Sequence, residues 1–143
     1  MDATDSERGD AAAERTDRTD GRRSGVTAVR GYYDAIDAGD YDRLSSLLSP
    51  AFVHDRPDRT FSGRETFVSF MRADRPETDT THDLSGVYRA VDGDADGRGG
   101  GGDAEWVARG RLVGADGDVR FRFADVFTFG DDGVERVETF VRE

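Results

Sequence analysis

The stretch Val119-Arg-Phe-Arg-Phe-Ala-Asp-Val-Phe-Thr-Phe129 constrains this chain more than any other. Its strict alternation has the period of a β-strand with two unlike faces. Val119, Phe121, Phe123, Phe127 and Phe129 share one face, and Asp125 sits in the middle of it. A carboxylate on an apolar face is costly as a bare anion, and burial raises its pKa. It must be paired, line a cavity, or stay protonated and donate a hydrogen bond. Each arrangement makes Asp125 a candidate functional group. The structural alternative is a buried acid tied to backbone or to an arginine such as Arg109.

The rest of the 143-residue chain tells which fold this strand belongs to. Helical spacing of Val26, Val29, Tyr32, Tyr33 and Ile36 predicts a first helix, capped at Ser24 and stopped by Gly39. Asp40 caps a second, which buries Tyr41, Leu44, Leu47 and Leu48 and ends at Ser49-Pro50. A short strand, Ala51 to Asp55, and a loop, Arg56 to Ser62, lead to a third helix opened by Gly63, with Phe67, Phe70 and Met71 as its apolar stripe. Strands follow at Thr80 to Val91, Ala104 to Val113 and, after the Asp125 strand, Val134 to Arg142. The turn Ala115-Asp-Gly-Asp118 joins two of them as a hairpin. Helices first and a meander of strands second define an α+β domain over 25–143.

Two segments stand apart. Residues 1–24 hold no large apolar side chain after Met1, so they read as a disordered tail of acids and arginines. Asp92 to Asp103 is a Gly/Asp-rich loop whose Asp92, Asp94, Asp96 and Gly97 mimic half a calcium loop. Gly99 replaces the expected apolar residue, Asp103 replaces a bidentate glutamate, and the flanks are strands. A flexible acidic loop is the better reading, and no metal is expected: His54 and His82 lack ligand spacing.

Charge narrows the partners. Acidic residues number 31 and basic ones 20, for a net charge of -11. All the basic residues are arginine, and lysine, asparagine, glutamine and cysteine are absent. Such a composition suits a protein of a salt-loving, GC-rich organism, although codon bias alone yields the same arginine preference. The negative balance disfavours nucleic acid. With no cysteine there is no thiol chemistry. Arg22-Arg23 is followed by no apolar run, so neither an export signal nor a membrane span is read, and a cytoplasmic location is expected.

The segments Val29-Arg-Gly-Tyr-Tyr-Asp-Ala-Ile-Asp-Ala-Gly-Asp40, Ala51-Phe-Val-His-Asp55, Gly63-Arg-Glu-Thr-Phe67 and Asp125-Val-Phe-Thr-Phe-Gly-Asp-Asp-Gly-Val134 resemble the nuclear transport factor 2-like superfamily. Its members include SnoaL-like polyketide cyclases and ketosteroid isomerases. The resemblance implies a cone-shaped, curved antiparallel sheet with three N-terminal helices packed over its concave face. It also implies a homodimer through the outer sheet face, where Arg109, Arg111, Arg120 and Arg122 would lie.

Compared with ketosteroid isomerase, Tyr32 matches the oxyanion tyrosine, Asp55 the general base, and Asp125 the protonated aspartate that donates to the same oxyanion. Departures are His54 in place of an acid and Arg56 intervening before Pro57. Tyr33 competes with Tyr32 for the interior. His54, next to Asp55, belongs on the other sheet face; a slipped register would make it the cavity-lining base. Trp106, Phe67, Phe121, Phe123 and Phe127 would wall an apolar pocket for a small apolar metabolite. The implied chemistry is proton transfer leading to isomerisation or cyclisation, with no cofactor. The alternatives are a non-catalytic ligand-binding or dimerising scaffold and water-based chemistry like that of limonene epoxide hydrolase.

Overall fold

The computed structural model describes residues 17–91 and 105–143, with side chains from residue 25 onward. Most of the expected tail and the whole calcium-like loop lie outside the described residues. The order of elements is α1 (Asp17–Ala38), α2 (Tyr41–Leu47), β1 (Leu48–Asp55), β2 (Thr60–Ser62), α3 (Arg64–Ser69), a π-helical turn (Phe70–Asp74), β3 (Thr81–Arg89), β4 (Glu105–Val113), β5 (Val119–Gly130) and β6 (Gly133–Arg142). The first helix begins earlier than its expected cap, at Asp17 rather than after Ser24.

Local chemistry explains the helix boundaries. Gly39 takes the left-handed conformation, with φ of 71°. Its N–H donates to Ile36, and the Asp40 N–H donates back to Ala35. This pair of hydrogen bonds closes α1 as a Schellman motif, which glycine allows without a Cβ penalty. The Asp40 carboxylate then accepts from the Arg43 N–H at 3.2 Å and starts α2. At the end of α3 the repeat widens to a π turn, a feature frequent near functional sites.

The six strands form one curved, unclosed sheet in the order β2-β1-β6-β5-β4-β3. It is mixed rather than wholly antiparallel, because β1 runs parallel to β6. A parallel pair needs a long crossover, and everything between β1 and β6 supplies it. The three helices cover the concave face. Val29, Tyr32, Tyr33, Ala35 and Ile36 of α1 and Phe67 and Val68 of α3 are buried there with Phe123, Phe127 and Val137 of the sheet. Trp106 closes the core under α1, where a Cβ on Gly25 would come within 2.4 Å of its ring. At Gly110 a Cβ would approach the Asp83 carbonyl oxygen to 2.4 Å, beside the register shift between Leu84 and Gly86. Glycine therefore permits the close β3–β4 contact. Among the described residues no helix is long and apolar enough to cross a membrane.

Candidate functional site

Strand pairing brings three polar side chains together on the concave face, and a fourth reaches them from a helix. Asp125 of β5 lies directly opposite Thr139 of β6. His54 of β1 lies opposite Val137, two residues from Thr139 on the same face. Tyr33 reaches them from α1. Its hydroxyl donates to Asp125 Oδ2 at 2.5 Å. The Thr139 hydroxyl donates to Asp125 Oδ1 at 2.6 Å, and His54 Nε2 lies 2.8 Å from the same hydroxyl oxygen. Both carboxyl oxygens thus accept short hydrogen bonds of the kind made to charged acceptors.

The network is deeply set. Asp125 is 6% exposed and His54 8%. Aromatic rings enclose it: Tyr33 packs against Tyr32, Phe123, Phe127 and His82 at centroid distances of 5.0–5.8 Å. The His54 ring meets Phe67 edge-on at 5.1 Å. Burial pushes the Asp125 carboxyl above its usual range, against the opposing pull of the Thr139 and Tyr33 hydrogen bonds and the charges of His82 and Arg56. Burial also raises both tyrosine hydroxyls, helped by the Asp125 charge. His54 is lowered to about 3, by burial first and the Arg56 guanidinium second, so the ring is neutral at ordinary pH. Within this network one atom has no partner: His54 Nδ1 is buried and makes no hydrogen bond, as is true outside the network of Arg64 Nε, Arg75 Nε and the Thr80 hydroxyl. An unpaired buried polar atom costs about 1–3 kcal/mol.

The residues singled out from sequence distribute unevenly. Asp125 faces the concave side, as its alternation requires, and its partners are Tyr33 and Thr139 rather than an arginine. Arg109 pairs in register with Ala124 and belongs to the other face. Tyr32 is equally buried, but the bond to Asp125 comes from Tyr33; Tyr32 instead stacks with Phe67 and meets Phe127 edge-on. Asp55 does not join the site. It occupies the outer face, where it accepts from Arg136 at 2.8 Å and from the Thr60 hydroxyl at 3.0 Å. The reason is parity: neighbours on a strand point to opposite faces, and His54 takes the inner one. Phe67, Phe123, Phe127 and Trp106 are buried in the concave core, and Phe121 is partly buried against it.

Sequence reasoning missed Thr139 altogether. It also passed over Arg56 as a group near the site, although Arg56 and Arg59 stack over the rings of Phe61 and Phe70 at 5.3–5.9 Å and the Arg56 charge acts on both His54 and Asp125.

Residues 29–137 match the SnoaL-like domain family, and the chain belongs to that family. No curated protein matches the sequence. Among solved structures, a candidate polyketide cyclase from Sinorhizobium meliloti is 21% identical with a TM-score of 0.60, covering 79% of this chain and 93% of that one. A candidate ketosteroid isomerase from Kribbella flavida is 19% identical with a TM-score of 0.56, covering 82% and 76%. An uncharacterized cystatin-fold protein from Novosphingobium aromaticivorans is 14% identical with a TM-score of 0.61, covering 79% and 94%. At these identities the likeness is one of fold.

Proposed function

We propose that this SnoaL-like domain binds a small apolar molecule on its concave face, against the Tyr33–Asp125–Thr139–His54 network, and transfers a proton to or from it. The observation that carries the reading is the orphaned His54 Nδ1 in an otherwise satisfied network. A ligand hydroxyl or enol would satisfy it, while the surrounding rings would take the apolar body. Asp125 supplies the titratable group, in place of the isomerase arrangement that would need Asp55. The candidate cyclase and isomerase among the fold relatives agree with such chemistry. Naphthol, which combines an apolar ring with a hydroxyl, is a suitable probe. In an NMR titration it is expected to shift resonances of His54, Phe67 and Phe127. Shifts confined to the outer face, or none at all, would refute the reading.

The non-catalytic scaffold keeps one observation in its favour. Phe52, Phe67 and Phe127 are fully buried, and their rings fill the concave interior. The same titration separates the two readings, because a filled scaffold admits no probe.

The outer face is proposed as a homodimer interface. It carries exposed apolar side chains, Phe140 (52%) on the central strand β6 and Tyr88 (48%) on the edge strand β3, with Val107 and Val126 between them. A groove of about 300 Å³ at one end is lined by Arg109, Arg111, Arg122 and Arg142. Glu105, Glu138 and the Asp55–Arg136 pair occupy the other end. A two-fold axis through these apolar side chains would set the arginine end of one copy on the acidic end of the other. Light scattering should give twice the chain mass, and Phe140→Asp should halve it; a monomeric wild type would refute the interface.

A further inference from the structure

We propose that His54, Thr139 and Asp125 form one proton relay, in which Nδ1 of His54 meets the ligand and the carboxyl of Asp125 is the terminal proton carrier. The inference deepens the reading of the concave face as a proton-transfer site and rests on it for the identity of the donor.

The hydrogen-bond inventory of Thr139 makes the relay possible. A hydroxyl has one hydrogen to give. While Asp125 is ionised, Thr139 gives that hydrogen to Oδ1 at 2.6 Å. Its oxygen must then accept from His54 at 2.8 Å. This places the ring proton on Nε2 and leaves Nδ1 as a bare acceptor, the atom that lacks a partner. Tyr33 occupies Oδ2, so the other oxygen is the one that serves Thr139.

A proton delivered to Nδ1 reverses each bond in turn. The donor–H bond breaks and Nδ1–H forms. The Nε2 proton passes to the Thr139 oxygen as the hydroxyl hydrogen of Thr139 passes to Oδ1 of Asp125. One proton has entered, the imidazole is neutral before and after, and the negative charge has moved from Asp125 to the ligand. No imidazolium need form. The weak basicity of the buried ring, with its pKa of about 3, therefore does not limit the relay. The carboxyl sets its affinity for the proton, and burial raises that affinity. The reverse sequence donates a proton through Nδ1.

The relay can be read without a ligand. The chain has only two histidines, His54 and His82, so ring nitrogen-15 spectra of the full chain are assigned with a His54→Gln control. They are followed with the Asp125 carboxyl carbon-13 resonance between about pH 4 and pH 9, a window between the ordinary carboxylate and tyrosine pKa values. The titratable groups packed against the network are Tyr32 and Tyr33 from α1 and His82 (held by Asp37) from β3; Arg56 and Asp58 from the loop after β1, and Asp55 from the outer face, act on it through their charge.

As pH falls through the Asp125 transition, the His54 proton is expected to move from Nε2 to Nδ1, with one midpoint for both nuclei. Thr139→Val should uncouple them, and Thr139→Ser should restore the coupling. The relay is overturned if wild-type His54 keeps one tautomer through that transition, if it titrates to imidazolium instead, or if Asp125 does not titrate in the window. Retained coupling in Thr139→Val overturns it as well; should that variant fail to fold, the wild-type and Thr139→Ser spectra decide. Failure of naphthol to bind would remove the proposed ligand and leave this measurement unaffected.

Discussion

Replacing Tyr33 with phenylalanine removes one oxygen from a ring that is 2% exposed. The ring contacts with Tyr32, Phe123 and Phe127 can survive, so the change isolates the hydrogen bond to Asp125. Its cost depends on the charge of the partner. A buried hydrogen bond contributes about 0.5–1.5 kcal/mol between neutral groups and about 1.5–3 kcal/mol when one partner is charged. The folded-state pKa of Asp125 is raised. The folded chain therefore binds the proton more tightly than the unfolded chain, and the stability due to this group is fully present below the unfolded pKa. That stability is lost as pH rises through the folded pKa. Tyr33 opposes the shift, because its hydrogen bond favours the carboxylate. Tyr33→Phe should raise the Asp125 pKa further and steepen the loss. Urea unfolding of wild type and variant is expected to show a penalty of about 1 kcal/mol in acid, where Asp125 is protonated, rising to about 2–3 kcal/mol once it ionises. A penalty that is flat or shrinks as pH rises from about 4 to 9 would refute the coupling between the tyrosine and the carboxylate charge.

Asp55→Ala should leave any activity or naphthol affinity unchanged and cost at most about 1 kcal/mol of stability, since its pair with Arg136 is partly exposed; loss of activity with the fold intact would return Asp55 to the site. Phe127→Ala, at a fully buried position, should lower stability by about 3–5 kcal/mol in urea unfolding. Gly110→Ala should cost about 1–3 kcal/mol by the same measurement, because its Cβ would press on the Asp83 carbonyl oxygen at 2.4 Å.

Local periodicity made much of the architecture legible. Alternation placed Phe123, Asp125 and Phe127 on one face, and the Gly39–Asp40 stop and cap separated α1 from α2 where expected. Short-range patterns carry that information because each depends on a few neighbouring residues. The parallel β1–β6 pair was not legible, since no local signal says which strand adopts a free sheet edge. Tyr32 and Tyr33 were indistinguishable for a related reason: both are buried, and only the docking angle of α1 decides which hydroxyl reaches Asp125.

Thr139 shows why the site was harder to read than the fold. Counting back from the Gly130–Gly133 turn in plain hairpin register would set Glu138 opposite Asp125. The register shifts between Thr128 and Phe129, so Thr128 pairs with Arg136 and Asp125 with Thr139. The extra residue, Glu135, inverts the faces of everything after it in β6. Without that bulge a second carboxylate would face Asp125 on the buried side, where two like charges destabilise one another. With it, Glu138 lies outside and a hydroxyl able both to donate and to accept takes the inner position. Parity at the end of β1 has the same effect, turning Asp55 outward and His54 inward. The two registers together leave Asp125 as the only carboxylate in the network, joined through Thr139 to a neutral imidazole.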